Sequence, residues 1–177
     1  MCSGGEGSAV ACMGGAAMEK TTGRTDMPGL VAVVQNGDIA SSLRAMNELR
    51  AVGNVAVGPL VASLRDGTTG AERWRAAMAL ARLGEPAVDP LIAVASSGGE
   101  DGVTNPAVWA LAEIGDRKAV PHLIELLRRE SSVCCRVLTA AALLKIGDPA
   151  GVDEVNRQYT EHGEDYEGMV REAFEGT

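Results

Sequence analysis

The chain has 177 residues, enough for one domain with its own core. Apolar residues make up 46% and aromatic residues only 3%, so the core must consist of Leu, Val, Ile and Ala, which suits closely packed helices. The net charge is −8, and the segment from Asp153 onward holds eight acids and two bases. No basic stripe is left for phosphate contacts, which argues against nucleic-acid binding.

The segment 1–26 is rich in Gly, Ser, Ala and Thr, and we expect it to be a disordered N-terminal segment. It lacks the basic start and apolar run of a secretory signal. No run in the chain approaches the roughly 20 apolar residues that span a bilayer, so no membrane partner is expected. The four cysteines form neither a disulfide framework nor a metal clip, which favours the cytoplasm.

A short phrase recurs at a regular spacing along the rest of the chain. It reads Ala-Val-x-x-Leu-(Val/Ile), and a Gly closes each copy at a constant distance from its first Ala. The three copies begin at Ala56, Ala87 and Ala119, and their glycines are Gly84, Gly115 and Gly147. A period of this size is typical of a solenoid of stacked helix pairs.

Each copy of the phrase predicts two helices separated by a loop. Pro59 suits the first turn of the first helix of a pair, and Gly84 suits the end of the second helix. Apolar residues at helical spacing predict the buried positions of the second helices. The predicted helices cover 30–35, 39–52, 57–64, 71–83, 87–95, 105–114, 119–129, 132–146 and 166–174. The predicted buried residues are Trp74, Ala77, Leu80, Leu83, Val108, Leu111, Ala112, Ile114, Val137, Ala140, Leu143, Leu144 and Ile146.

The predicted organisation is the disordered segment 1–26 followed by one repeat domain over 27–177. We divide this domain into a partial repeat at 28–53, repeats at 54–84, 85–115 and 116–147, and an acidic cap at 148–177. Asp153 and Glu154 stand in the last unit where earlier repeats have apolar residues. A polar last unit is what the exposed end of a solenoid needs.

The recurring phrase, together with the stretches Arg75-Ala76-Ala77 and Leu83-Gly84-Glu85-Pro86, resembles the short HEAT repeats named after phycobilisome lyases. The resemblance covers roughly residues 28–160. It implies an all-α, right-handed solenoid of antiparallel helix pairs whose second helices line the concave face. Some members attach or isomerise bilins. Deoxyhypusine hydroxylases in this class use His-Glu pairs, and neither histidine of this chain precedes a Glu.

The sequence contains no recognisable catalytic constellation. His122 and Glu125 share one helix face, but two ligands do not hold a catalytic metal. No phosphate-binding Gly-rich loop is present. No Ser or Cys has an identifiable His partner for nucleophilic catalysis. We therefore expect no catalytic residue, no metal and no cofactor.

Outward-facing positions on the second helices can instead be aligned in columns, one residue from each repeat. One column reads Asn47, Met78, Trp109 and Ala141, and the neighbouring column, one helical turn on, reads Ala51, Arg82, Glu113 and Lys145. A large aromatic side chain beside Arg is common at interface hot spots. The predicted partner-binding residues are Arg75, Met78, Arg82, Trp109, Glu113 and Lys145.

The predicted function is a non-catalytic scaffold or adaptor that binds a protein or peptide on its concave face. Trp109 could equally fill space between stacked helices, and that alternative stays open. Two other functions also stay open. One is an accessory subunit of a bilin-lyase-like or other protein-modifying enzyme, and the other is a structural oligomer.

Overall fold

A computed structural model of the protein describes residues 26–97 and 99–176. The segment expected to be disordered lies outside these residues, apart from Asp26. Within the described residues there are ten α-helices, three short 3-10 turns and no strand. The helices are α1 Met27–Asn36, α2 Ile39–Val52, α3 Val57–Asp66, α4 Gly70–Leu83, α5 Val88–Ser96, α6 Asp101–Ile114, α7 Val120–Arg129, α8 Val133–Ile146, α9 Pro149–His162 and α10 Glu164–Glu175.

The helices form two layers. Each odd-numbered helix packs against the even-numbered helix that follows it, and equivalent helices of successive pairs stack on each other. The even-numbered helices pack more closely within their layer than the odd-numbered helices do. A curved stack brings its elements closer on the inner side, so α2, α4, α6, α8 and α10 form the inner layer. This confirms the predicted all-α, HEAT-like solenoid.

The recurring glycines end the helices of the inner layer. Gly53, Gly84, Gly115 and Gly147 follow α2, α4, α6 and α8, with φ between 71° and 76°. Gly reaches positive φ without steric cost, whereas other residues do not. Gly84 combines its positive φ with ψ of −138°, a mirror image of extended backbone rather than the left-handed helical region. The repeat length in the sequence therefore equals the spacing of the turns that follow successive inner helices.

Helix α6 begins earlier than predicted. The sequence placed its start near Asn105 and Pro106, but the helix begins at Asp101. The Glu100 carbonyl accepts hydrogen bonds from the N–H groups of Val103 and Thr104, which forms the first turn ahead of the proline. Pro106 is buried inside the helix, where its ring lacks the N–H that would bond one turn back.

The core between the layers is built from Leu, Val and Ala. Equivalent leucines in successive pairs are almost completely buried in both layers. Small alanines between them allow the helices to approach closely. Ala141, which the column count placed on the surface, is fully buried, because a methyl group is too short to extend past its neighbours. The repeated leucines are Leu49, Leu80, Leu111 and Leu143 in the inner layer and Leu60, Leu91 and Leu123 in the outer layer.

The last helix pair contains a buried carboxylate. Glu154 on α9 is 4% exposed and accepts a 2.7 Å hydrogen bond from Arg128 on α7 and another from Arg157. Burial opposes ionisation of Glu154, but the hydrogen bonds from the two guanidinium groups outweigh it and lower the pKa of the carboxyl. This acid therefore links the last pair to the preceding repeat.

Candidate functional site

Four of the six predicted partner-binding residues come together on the inner layer. Met78 and Arg82 of α4 lie beside Trp109 and Glu113 of α6. With Ala81 they line a depression of about 240 Å³, which we call the central concavity. The constant step between equivalent positions therefore brings these side chains to one place. Their role in binding a partner remains a prediction.

Trp109 is half-buried and serves both the core and the surface. Its ring packs against buried residues and also lines the central concavity. Trp74 meets it edge to face, with ring centroids 5.8 Å apart and an interplanar angle of 71°. Such aromatic pairs hold both rings in a defined orientation.

The charged residues around the central concavity divide into paired and unpaired groups. Lys145 of α8 forms an ion pair with Glu113 of α6, so each is neutralised by the other. Arg82 has no carboxylate within ion-pair distance among residues 26–97 and 99–176. Arg82 is therefore the cation available to a partner at this place.

Arg75 lies outside the central concavity. Its guanidinium donates a hydrogen bond to the carbonyl of Gln35 at the end of α1, which draws the side chain toward the first helix pair. There it lines a smaller depression of about 150 Å³ with Ile39, Leu43 and Met78. We call this depression the N-terminal concavity.

The sequence did not predict an extended apolar depression that has a volume of about 770 Å³. It runs over α4, α6, α8 and α10, and we call it the C-terminal groove. Trp74, predicted to be buried, is 38% exposed and lines it. An indole is large and is rarely enclosed completely, so part of Trp74 stays exposed. The other apolar lining residues are Val133, Val137, Leu138, Met169 and Ala173.

The three depressions form one connected surface along the inner layer. Met78 lines both the N-terminal and the central concavities. The contact between Trp74 and Trp109 joins the central concavity to the C-terminal groove. We call this surface the inner strip, defined by Ile39, Leu43, Met78, Trp109, Trp74, Val133 and Met169.

Few polar groups lie along the C-terminal groove. The side-chain N–H of Asn105 donates a long hydrogen bond of 3.7 Å to the exposed sulfur of Cys134. The side-chain oxygen of Asn105 is buried and has no hydrogen-bond partner in the structure. Burial raises the pKa of the neighbouring Cys135 thiol to about 12, so this thiol remains protonated near neutral pH. The groove thus offers apolar contact with a small number of hydrogen-bonding groups.

Two further classes of site are absent from the described residues. No group of three or more His, Cys, Asp or Glu side chains in 26–97 and 99–176 could hold a metal ion. No helix in the same part of the chain is long and apolar enough to cross a membrane.

Known proteins share the repeat of this chain. A sequence model of HEAT repeats matches residues 56–143, from the first copy of the recurring phrase to the inner helix of the third. No curated protein matches the chain. Among solved structures, the chain is similar to the complex of CpcE and CpcF of phycocyanin lyase from Nostoc sp. PCC7120.

That likeness has a TM-score of 0.57 at 19% sequence identity, and it covers 83% of this chain and 96% of the other. At this identity the likeness concerns the fold alone. The fold and the repeat match agree with the helix pairs and the recurring glycines described above. Residues 56–143 of this chain are HEAT repeats.

Proposed function

We propose that the protein is a non-catalytic scaffold or adaptor that binds a protein or peptide partner along its inner strip. The observation that carries this proposal is the exposure of large apolar side chains on one connected surface. Met78 is 36% exposed, Met169 41% and Val133 47%. Contiguous exposed apolar surface of this kind marks interaction sites in proteins.

The composition of the central concavity supports the same proposal. Trp and Arg are the residue types that contribute most at protein interfaces, and both are present there. Trp109 is held by its ring contact with Trp74, so little side-chain freedom is lost when a partner covers it. Unpaired Arg82 would offer a hydrogen-bond donor to a carboxylate of the partner.

The comparisons are consistent with a protein partner. The similar solved structure is a complex of two proteins.

We place this protein in the cytoplasm, because Cys134 and Cys135 are free thiols. A structural oligomer would use the same apolar surface, and light scattering on the purified chain distinguishes it by mass.

A second candidate function is an accessory subunit of a bilin-lyase-like enzyme. The specific observation in its favour is the likeness to phycocyanin lyase, which extends over 96% of that chain. Expression together with a source of bilin tests it directly. Pigment that stays with the purified protein would favour this candidate over a plain adaptor.

The adaptor proposal is tested by affinity capture from the native cell, followed by identification of the captured proteins by mass spectrometry. The variant carries Trp109→Ala and Arg82→Glu, which remove the two anchors of the central concavity. The control is Arg65→Glu, the same charge change at an exposed position on outer helix α3. A partner that the wild type and the control retain, and that the variant loses, supports the proposal. Equal capture by all three, with the variant folded, contradicts it.

A further inference from the structure

We propose that the C-terminal groove binds an amphipathic α-helix that carries basic residues beside its apolar face. This inference rests on the proposed function and specifies the chemistry of the partner. It uses three features of the groove: its dimensions, its shortage of polar groups and the charge of the helix that borders it.

The dimensions of the groove match a helix of moderate length. The groove passes from Trp74 on α4 across α6 and α8 to Met169 on α10, which is three steps between neighbouring inner helices. Packed helices lie about 8–10 Å apart, so the groove is roughly 25–30 Å long. A helix rises about 1.5 Å per residue and would need about 16–20 residues to lie along it.

The shortage of polar groups favours a helix over an extended peptide. Asn105 and Glu172 carry the side-chain oxygens of the groove, and the remaining lining is apolar or the weakly polar thiol of Cys134. An extended peptide would bring unpaired backbone N–H and C=O groups against this surface, at a substantial cost. A helix satisfies these groups internally and can present only apolar side chains.

The charge of α10 favours basic residues on that helix. α10 carries five acids and one base, and its base, Arg171, is engaged with Glu167 at 2.8 Å. Glu172 lines the groove, and among the described residues no cation lies within ion-pair distance of it. A Lys or Arg at the edge of the partner's apolar face would form a charge-assisted contact with Glu172.

Two synthetic peptides test this inference, each of about 18 residues so that its helix spans the groove. Both have the same Leu and Ala apolar face, and the flanking positions are Lys in one peptide and Glu in the other. The chain has two Trp residues. Trp74 lines the groove and Trp109 contacts the Trp74 ring, so intrinsic Trp emission reports binding there. We expect the Lys peptide to bind about tenfold more tightly at low salt, because its charge complements that of α10.

Variants of the full chain assign the effect to residues. Glu172→Lys should remove most of the preference for the Lys peptide. Glu125→Lys is the matched control, because it makes the same charge change on outer helix α7 and should leave the preference intact. Met169→Asp replaces a side chain that is 41% exposed, so it should weaken both peptides without unfolding the protein.

Four outcomes would overturn the inference. Equal binding of the two peptides would refute the charge assignment, as would an equal effect of Glu125→Lys and Glu172→Lys. Unchanged Trp emission with both peptides would show that the groove does not take a helix. Dimerisation of the chain that Met169→Asp abolishes would place a second copy in the groove instead. The capture experiment on the central concavity uses no peptide, so the proposed function is tested separately.

Discussion

Leu111 lies on inner helix α6, is 1% exposed and belongs to the row of leucines that repeats through the inner layer. We expect Leu111→Ala to lower the free energy of unfolding by about 2–5 kcal/mol, because it removes buried apolar surface and leaves a cavity. Urea unfolding followed by far-UV circular dichroism measures this change.

The matched control at the residue scale is Leu43→Ala. Leu43 is 39% exposed on inner helix α2, so its truncation should change the free energy of unfolding by less than about 1 kcal/mol. Similar losses for the two variants would contradict the assignment of Leu111 to the core.

Glu154 gives a prediction about pH. Its pKa is lowered in the folded protein, so its contribution to stability is present above the pKa of the unfolded state, near 4.5. That contribution is lost as the pH falls through the lower folded pKa. We expect Glu154→Gln to cost about 1–3 kcal/mol at pH 7, and the difference from the wild type to shrink steadily as the pH is lowered below about 4.5. Urea unfolding at a series of pH values measures it.

Glu161 on the same helix serves as the control for Glu154. Its carboxylate is 54% exposed and lies 3.9 Å from Arg157, so Glu161→Gln should cost less than about 0.5 kcal/mol. If Glu154→Gln behaved like Glu161→Gln at every pH, the buried ion pair would not be what links the last helix pair to its neighbour.

At the same scale, the sequence predicted part of the arrangement of the candidate site. Met78, Arg82, Trp109 and Glu113 meet because a fixed repeat length aligns equivalent helix positions. Aligning the repeats gives no information on how far each side chain reaches or which hydrogen bonds it forms. The column count therefore could not show that Ala141 is covered, that Trp74 extends into a groove, or that Arg75 turns toward Gln35.

At the scale of helices, turn residues made most boundaries predictable. The predicted bounds of α2 agree with the structure, and those of α8 differ by one residue at the start. Gly and Pro mark these ends because their backbone preferences differ from those of other residues. The same rule failed for α6. Pro106 was interpreted as a helix start, whereas a complete first turn forms before it.

The glycine that ends α4 gives a prediction at this scale. Gly84 has φ of 76°, and a Cβ added there would meet no atom within 4 Å. We expect Gly84→Ala to lower the free energy of unfolding by about 1–3 kcal/mol, because Ala rarely adopts a backbone with φ of 76° and ψ of −138°. Thermal and urea unfolding both measure the change.

Gly168 is the matched control within a helix. It lies in the interior of α10, and a Cβ added there also meets no atom within 4 Å. Ala has the higher helix propensity, so Gly168→Ala should raise stability by about 0.5–1 kcal/mol. Effects of the same sign at the two glycines would contradict the role given to Gly84 in ending the repeat.

At the scale of the whole molecule, the repeat period predicted the solenoid but not the C-terminal groove. The period is a property of every helix pair, and the recurring phrase is absent from the last pair. The C-terminal groove depends on how α10 of that pair lies beside α8. Because the recurring phrase does not extend to the last helix pair, the sequence does not predict the contact between α10 and α8, and only the structure shows it.

The central claim is that a partner protein lies on the inner layer and not on the outer one. Site-specific photo-crosslinking in the native cell tests it, with a photoreactive amino acid placed either at Met78 of α4 or at exposed Ala93 of outer helix α5. We expect one discrete crosslinked partner from position 78 and none from position 93. Crosslinking to the same partner from position 93 alone, or with equal yield from both positions, would contradict the account.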